Sequence, residues 1–152
     1  MDEGSFVCDD FEPLTTTIDN AVVTYAGNYE WTMLETTTGY LNKMFKFVAD
    51  DTGNPVADQG TLGPVLFVHT ATKSCLSWLT DSVDENIDAI PKMLFDQGYD
   101  VYLACRRGTS FSRAHETFDL DTEAGLESYY NYNTENVGTE DIERFVDLIL
   151  TD

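Results

Sequence analysis

The stretch GPVLFVH, Gly63 to His69, decides the fold, because it is a short, continuous apolar run bounded by a glycine and a polar residue. A run without polar alternation is typical of a strand buried on both faces of a parallel sheet. A second run of this kind, Tyr99 to Cys105, follows a helical candidate at Ile90 to Gln97. In that helix Pro91 suits the first turn and Gly98 suits the C-terminal cap. The pattern therefore predicts a β-loop-α-β unit and an α/β fold.

The segment before this unit predicts an antiparallel hairpin. Tyr29 to Thr36 and Tyr40 to Val48 are rich in β-branched and aromatic residues, and residues 37–39 between them include a glycine suited to a turn. Ala49 to Gly63 contains many turn-forming residues, so we expect a surface loop there. Together these segments predict a hairpin that leads into a parallel sheet with crossover helices.

The segment after the unit predicts an amphipathic helix. Thr139 is the expected N-cap, and Glu140 and Asp141 follow in the first turn, where the helix dipole favours negative charge. Its apolar face is formed by Ile142, Phe145, Val146 and Ile149. An α/β alternation would continue with a strand after this helix. We therefore expect an incomplete sheet, with a lead-in segment at residues 1–28 and a partial domain at residues 29–152.

Composition and charge exclude one class of partner. The chain has 152 residues, of which 42% are hydrophobic, enough to fill one core. Its 28 acidic and 8 basic residues give a formal net charge of -20. Such a charge repels phosphate backbones and anionic lipid surfaces at long range. We therefore expect one globular unit with no nucleic-acid partner.

The cysteines argue against a cross-linked or metal-bound chain. Cys8, Cys75 and Cys105 are odd in number, and they have neither a C-x-x-C spacing nor a neighbouring histidine cluster. We expect free thiols, no metal and no cofactor. Cys105 ends a predicted strand beside Arg106, an arrangement that favours a reactive thiolate, and the preferred alternative is an inert buried thiol.

No targeting or membrane segment is visible in the sequence. The first residues are acidic where a signal peptide needs a basic region followed by an apolar run. The longest apolar stretches are too short to span a bilayer. We therefore expect neither a signal peptide nor a transmembrane segment, and the compartment stays open.

Four short motifs occur in order along the chain. Thr36 to Leu41 is similar to a T-x-D-G-Y hairpin, and Gly63 to His69, with Trp78 downstream, is similar to a strand that enters an H-G-L turn. Asp96 to Leu103 is close to A-G-Y-D-V-W-L, and Arg107 to His115 matches R-G-N-x-x-S-x-x-H except that threonine replaces the asparagine. Together the motifs resemble the N-terminal part of the acid lipases, the gastric and lysosomal acid lipase family.

The resemblance implies an α/β-hydrolase fold and the hydrolysis of lipid esters, without distinguishing triacylglycerols from sterol esters. The family is mostly lysosomal or secreted. The resemblance also identifies His69, Thr70 and Ala71 as the oxyanion region, in which the backbone N–H of Ala71 would be one donor. Thr70 stands where the family has glycine, so a positive φ there would cost about 1–3 kcal/mol or require another turn geometry.

Ester hydrolysis on this fold needs a serine on a tight strand-to-helix turn, a histidine base, an acid and oxyanion donors. The sequence contains no G-x-S-x-G. Its nearest approach, Gly108 to Ser112, lacks the last glycine, and we expect it to be a structural loop. The two histidines are His69 and His115, and the resemblance gives both of them supporting roles. We therefore expect no catalytic residue in this chain.

The loop after the second strand holds the other candidate residues: Arg107, Gly108, Ser112, Arg113 and His115. A functional interpretation has the two arginines bind a carboxylate or phosphate of a ligand. The preferred alternative is structural, with the arginines holding loop carbonyls or pairing with Asp119 or Asp121. His115 is expected to be solvated or hydrogen-bonded within the loop.

These observations predict a partial hydrolase. Its Val65 to His69 strand would pair with the absent nucleophile strand and is otherwise an exposed edge. Such a chain would act on a lipid ester only when a C-terminal part completes it. The alternative is a non-catalytic lipase-like module that binds a protein partner through this edge. A splice product or an incomplete reading of an ordinary lipase gene is the third interpretation.

Overall fold

The computed structural model describes residues 28–50, 52–71, 73–80 and 89–152. Cys8 and the lead-in segment predicted at residues 1–28, except Asn28, lie outside these ranges. The described strands are β1 (Asn28–Glu35), β2 (Leu41–Ala49), β3 (Pro64–Val68) and β4 (Asp100–Cys105). The described helices are α1 (Ser77–Thr80), α2 (Ile90–Asp96), α3 (Glu123–Tyr130), α4 (Thr134–Asn136), a π-helical turn (Val137–Ile142) and α5 (Glu143–Thr151).

The strands form a mixed sheet in the order β1-β2-β4-β3. β1 and β2 are the predicted antiparallel hairpin, and their turn closes where Thr36 N–H donates to the Tyr40 carbonyl at 2.9 Å and Gly39 adopts φ +85°. β4 runs antiparallel to β2 and parallel to β3, with Leu103 opposite both Phe45 and Phe67. The α/β fold and the hairpin leading into a parallel pair are therefore confirmed.

Helices cover both faces of the sheet. On one face α1 and α2 bury the larger cluster, whose members include Phe45, Phe47, Leu79, Phe95, Val101 and Leu103. On the other face α5 closes a smaller cluster that contains Leu34, Met44, Tyr102, Ala104 and Phe145. β4 contributes to both clusters because its neighbouring side chains point to opposite faces. Of the two apolar runs predicted to be buried on both faces, β4 is buried in this way, whereas β3 lies at the edge of the described sheet and only its Phe67 is buried.

The predicted second helix is present and ends as its sequence indicates. Pro91 lies in the first turn of α2, where its missing N–H is not needed. Gly98, with φ +98°, follows the helix, and its N–H donates to the Phe95 carbonyl at 2.9 Å. That left-handed conformation favours glycine. Within the described part of the chain, no helix is long and apolar enough to cross a bilayer.

The predicted start of the last helix is wrong. The chain turns helical at Thr134, and Asn133 caps it through a reciprocal pair of hydrogen bonds with Asn136. Thr139, the predicted N-cap, lies inside the helical run, and its hydroxyl donates to the Glu135 carbonyl at 2.9 Å. The helical segment is therefore longer than the sequence pattern indicated.

The predicted apolar face of that helix is partly wrong. Phe145 is fully buried, and Ile142 and Ile149 pack against the smaller cluster as expected. Val146 instead remains 40% exposed, and Leu148 packs against the cluster in its place. The π-helical turn precedes α5, so the 3.6-residue period does not carry through the whole segment.

Candidate functional site at the carboxyl ends of β3 and β4

The candidate residues lie on two loops that leave neighbouring parallel strands. The first loop begins at His69, directly after β3, and the second begins at Arg106, directly after β4. Because the two strands are parallel neighbours, both loops start at the same end of the sheet, where the strands have their carboxyl termini. Ligands of open α/β sheets bind at the carboxyl ends of the strands.

His69 joins the starts of the two loops. Its ring is 3% exposed, and Nε2 accepts a hydrogen bond from the backbone N–H of Arg106 at 3.2 Å. Nδ1 must then carry the proton, and it donates to the Thr70 carbonyl at 2.8 Å. Burial lowers the pKa of His69; the hydrogen bond to Thr70 opposes this, and the charge on Arg106 adds to it. His69 is therefore a neutral connector between β3 and β4.

The rest of the predicted oxyanion region is accessible. Thr70 and Ala71 are both exposed, and the Thr70 carbonyl also accepts a hydrogen bond from the N–H of Lys73 at 3.2 Å. Among the described residues Asp58 is the one non-glycine residue with positive φ, so Thr70 is outside the left-handed region. The turn therefore adopts a geometry that a β-branched residue tolerates.

The expectation of free thiols is wrong for two of the three cysteines. Cys75 and Cys105 form a disulfide, with their Cα atoms 4.9 Å apart and both side chains fully buried. Cys105 is the last residue of β4, and Cys75 lies on the loop that follows β3. The parallel pairing brings these two positions together across a sequence separation of 30 residues. Cys105 is thus neither a reactive thiolate nor an inert thiol.

Arg107 is held by carboxylates of the last helical segment. Its Nε and one terminal nitrogen donate to Asp141 Oδ1 at 2.9 and 2.7 Å, and its backbone N–H donates to Asp141 Oδ2 at 3.1 Å. The same terminal nitrogen donates to Glu140 Oε2 at 2.7 Å, and the guanidinium stacks on the Tyr40 ring at 3.8 Å. Arg107 therefore pairs with Glu140 and Asp141 rather than with Asp119 or Asp121, the partners that the sequence suggested.

These contacts determine the charge state of the cluster. Burial acts to lower the pKa of Arg107, but the hydrogen bonds that it donates to Asp141 and Glu140 outweigh this effect, and the pKa is raised. For Glu140 burial acts to raise the pKa, and hydrogen bonds from Thr38 and Arg107 outweigh it, so the pKa is lowered. Arg107 and Glu140 therefore stay charged, and Glu140 lies in a π-helical turn rather than at the predicted helix start.

Gly108 and Ser112 close the second loop on itself. Gly108 has φ +79°, and a Cβ there would collide with the hydroxyl of Tyr132. Its N–H donates to the Ser112 carbonyl at 3.1 Å. The buried Ser112 hydroxyl donates to the Cys105 carbonyl and accepts from the N–H of Lys43 at 2.8 Å. Gly108 to Ser112 is therefore a structural loop, as expected.

His115 ties the second loop to the hairpin turn. Its Nε2 donates to the Thr38 carbonyl at 2.8 Å, and its Nδ1 accepts from the N–H of Thr117 at 3.1 Å. Its ring stacks on Phe118 with centroids 3.8 Å apart. Arg113 is exposed and makes no ion pair with any residue in the described ranges.

A cleft of about 410 Å³ opens beside Arg107 and His115. Its charged groups are bound to one another, because Glu140 meets both Arg107 and the Thr38 hydroxyl. Across the described residues, no group of three or more His, Cys, Asp or Glu side chains comes together in a way that could hold a metal ion. Arg107 and Glu140, the two charged residues that line the cleft, are therefore paired with each other.

Neither histidine has a serine hydroxyl among its described hydrogen-bond partners. Each ring has both nitrogens engaged by nearby groups, His69 by Arg106 and Thr70, and His115 by Thr38 and Thr117. Ser112, the buried serine of the second loop, hydrogen-bonds to backbone groups rather than to an imidazole. The described residues thus bring together no serine–histidine pair of the kind that ester hydrolysis needs.

Comparison with known proteins shows what kind of chain carries this site. Triacylglycerol lipase 2 of Arabidopsis thaliana is 31% identical over 114 residues, which cover 75% of this chain and 26% of that protein. The chain is lipase-like in sequence. A probable lipase of Schizosaccharomyces pombe is 30% identical over 118 residues, which cover 78% of this chain and 24% of that protein. A second probable lipase of this yeast is 33% identical over 69 residues. No protein-family model matches the chain.

The lipase-like chain spans about a quarter of the length of the first two of these relatives. Sequence reasoning identified His69 and Arg107 but missed Asp141, Glu140 and the disulfide. A signal for the disulfide was available, since Cys105 ends one predicted strand and Cys75 follows its neighbour. The partners of Arg107 carried no such local signal.

Proposed function

We propose that the chain is the N-terminal part of an α/β-hydrolase of the acid-lipase type, which acts on lipid esters once a further segment completes it. The observation that carries the proposal is the position of β3 at the edge of the sheet, with the His69–Ala71 turn at its carboxyl end. The similarity to lipases over 75% of the chain supports it. Residues 29–152 would then be one partial domain.

The residues present indicate which catalytic groups the chain would supply and which a completing segment would add. The chain would supply one oxyanion donor, the backbone N–H of Ala71, and the buried His69 that holds this turn against β4. The completing segment would add a strand beside β3 and bring the serine, the base and the acid. By analogy with the Arabidopsis relative, whose name specifies triacylglycerol, a long-chain triacylglycerol is the first substrate to test.

Two unpaired buried donors near the carboxyl ends of β3 and β4 also favour a further segment. Trp78 Nε1 and Arg106 Nε have no hydrogen-bond partner among the described residues. Trp78 packs on Phe67 of β3 with ring centroids 5.2 Å apart, and Arg106 begins the loop after β4. Buried donors are normally paired, so an added segment that offers acceptors here would complete them.

Complementation tests the proposal. The chain is co-expressed with the part of the Arabidopsis lipase that lies beyond the matched region, and triolein hydrolysis is measured. We expect activity above that of either piece alone. Ala71→Pro removes the proposed donor and should lower kcat by about 10²- to 10³-fold, whereas the control Ala71→Gly keeps the N–H and most of the activity. Equal activity of the two variants would contradict the role of Ala71.

The second candidate function is a non-catalytic lipase-like module that binds a protein partner through β3. The observation that favours it is the open edge: within the described sheet β3 pairs with β4 alone, so every second amide faces away from any partner. Thr70 in place of the family's glycine also favours it. Exposed strand edges readily pair with another chain.

Hydrogen exchange on the isolated chain shows whether the outer side of β3 is paired with another strand. The amides of β3 that face away from β4 should exchange much faster than the amides of β4, and size-exclusion chromatography should show association at high concentration. A stable monomer in which all β3 amides are protected would contradict the open edge. Restored protection on adding the lipase remainder would favour the hydrolase over the binding module.

A further inference from the structure

The turn that follows β3 is anchored at both ends to consecutive residues of the next strand and its loop. At its start, His69 Nε2 accepts from the backbone N–H of Arg106 at 3.2 Å. At its end, Cys75 is bonded to Cys105. The described residues between these two anchors, Thr70, Ala71, Lys73 and Ser74, therefore lie between links to positions 106 and 105, at the carboxyl end of β4.

The exposed part of this loop lies between two buried anchors. Thr70 and Ala71 are exposed, and the internal backbone hydrogen bond runs from the N–H of Lys73 to the Thr70 carbonyl at 3.2 Å. The two anchors are buried, with both cysteines at 0% and His69 at 3% exposure. The exposed turn is thus held by buried residues at its two ends, His69 and the Cys75–Cys105 disulfide.

We propose that Cys75 and Cys105 are positioning residues for the oxyanion turn, and that their disulfide holds the Ala71 N–H in its working orientation. The inference rests on the proposed function for the role of that N–H. At the far end of the loop the Ser74 carbonyl accepts from the N–H and the hydroxyl of Ser77 at 3.0 and 2.8 Å, and the disulfide adds a covalent link to β4. With the disulfide in place, the loop is closed at both ends.

Reduction of the disulfide should release the turn while leaving the sheet intact. A dithiol such as dithiothreitol attacks one sulfur, breaks the S–S bond and forms a mixed disulfide. Its second thiol then breaks that bond, so that the protein gains two thiols and the reagent, oxidised by two electrons, becomes a cyclic disulfide. Both sulfurs are buried, so this reaction requires local opening of the loop first.

Amide hydrogen exchange followed by mass spectrometry tests the anchoring without any assay of activity. All chains carry Cys8→Ser, so that Cys75 and Cys105 are the remaining cysteines. We compare the oxidised chain, the same chain reduced with dithiothreitol, and the variant Cys75→Ala/Cys105→Ala. In the latter two, residues 70–74 should exchange faster by about tenfold within the first seconds of labelling, while the β4 amides, which open only on global unfolding, stay unexchanged over that interval.

Two results would overturn the inference: unchanged exchange of the loop on reduction, or an equal acceleration along the whole chain, which indicates global destabilisation. The reduced chain needs no substitution, so the test stands even where the double variant fails to fold. In the complemented enzyme, reduction should lower kcat for triolein and leave KM unchanged, and an unaltered kcat would also overturn it. Absence of hydrolysis in both redox forms counts against the proposed function alone. The exchange result then decides whether the disulfide anchors the turn.

Discussion

Arg107 brings a positive charge into the protein interior, where Asp141 Oδ1 accepts from the guanidinium, Asp141 Oδ2 accepts from the backbone N–H, and the Tyr40 ring stacks on the guanidinium. Asp141 is fully buried, and so is the guanidinium that it meets. Removal of one partner from such a pair leaves an uncompensated buried charge. The contact between Arg107 and Asp141 therefore joins the loop after β4 to the last helical segment, and removal of either side chain should destabilise the fold.

Asp141→Ala should lower the free energy of unfolding by about 3–5 kcal/mol, because Arg107 then stays buried without its main acceptor. Chemical denaturation measures the change. The matched control is Asp147→Ala, which removes an exposed carboxylate from the same helical segment and should change stability by less than about 0.5 kcal/mol. Similar losses in the two variants would show that the Arg107 contact is not the cause.

His69 gives stability a pH dependence with a definite sign. Burial lowers its pKa in the folded chain below the ordinary value of 6.5, so the unfolded chain binds the proton more readily. Its contribution is therefore complete above pH 6.5 and is lost as the pH falls through the lowered pKa of the folded state.

Denaturation curves between pH 7.5 and 5.5 check this dependence against His69→Gln, which keeps an acceptor for the N–H of Arg106 but cannot titrate. Wild-type stability should fall more steeply with decreasing pH than that of the variant. Parallel pH profiles would mean that His69 is not the group responsible.

At the scale of elements, the last helical segment shows where local sequence and tertiary structure disagree. Thr139 followed by acidic residues imitates a helix N-terminus, yet Asn133 caps the segment. Asn133→Ala should therefore destabilise the chain by about 1 kcal/mol, and Thr139→Ala by clearly less, as measured by thermal denaturation. A larger loss at Thr139 would restore the sequence-based boundary.

The elements that the sequence predicts well are those with a local cause. The hairpin turn needs the positive φ of Gly39, and α2 begins with Pro91 and is followed by Gly98. The misplaced helix start has a distant cause, because Glu140 and Asp141 face Arg107 rather than a helix terminus. Periodicity and capping rules cannot register a partner that is remote in sequence.

At the scale of the whole molecule, the disulfide links two segments across a sequence separation of 30 residues. A closed loop of this size restricts the unfolded chain and should raise the free energy of unfolding by about 3–4 kcal/mol. Urea denaturation of the oxidised and reduced chains measures the difference. Equal midpoints would mean that the cross-link stabilises neither the fold nor the junction of β3 and β4.

The candidate site could be predicted in part for the same reason as the fold. Motif similarity identified His69, Thr70, Ala71 and Arg107, but it could not supply the hydrogen bonds that hold them. The parity of the cysteines gave a wrong answer, because counting ignores where parallel strands end. The sheet order, with β4 between β2 and β3, is what brings Cys75 to Cys105.

The cross-link also bears on where this chain can reach its final form. Protein disulfides persist in oxidising compartments and are rare in a cytosol rich in glutathione and thioredoxin. We therefore expect chain matured under oxidising conditions to yield two more titratable thiols after unfolding with reductant than after unfolding without it. The same chain made in a reducing cytosol should show no such difference. Biosynthetic history would then decide whether the far end of the turn after β3 carries its covalent anchor.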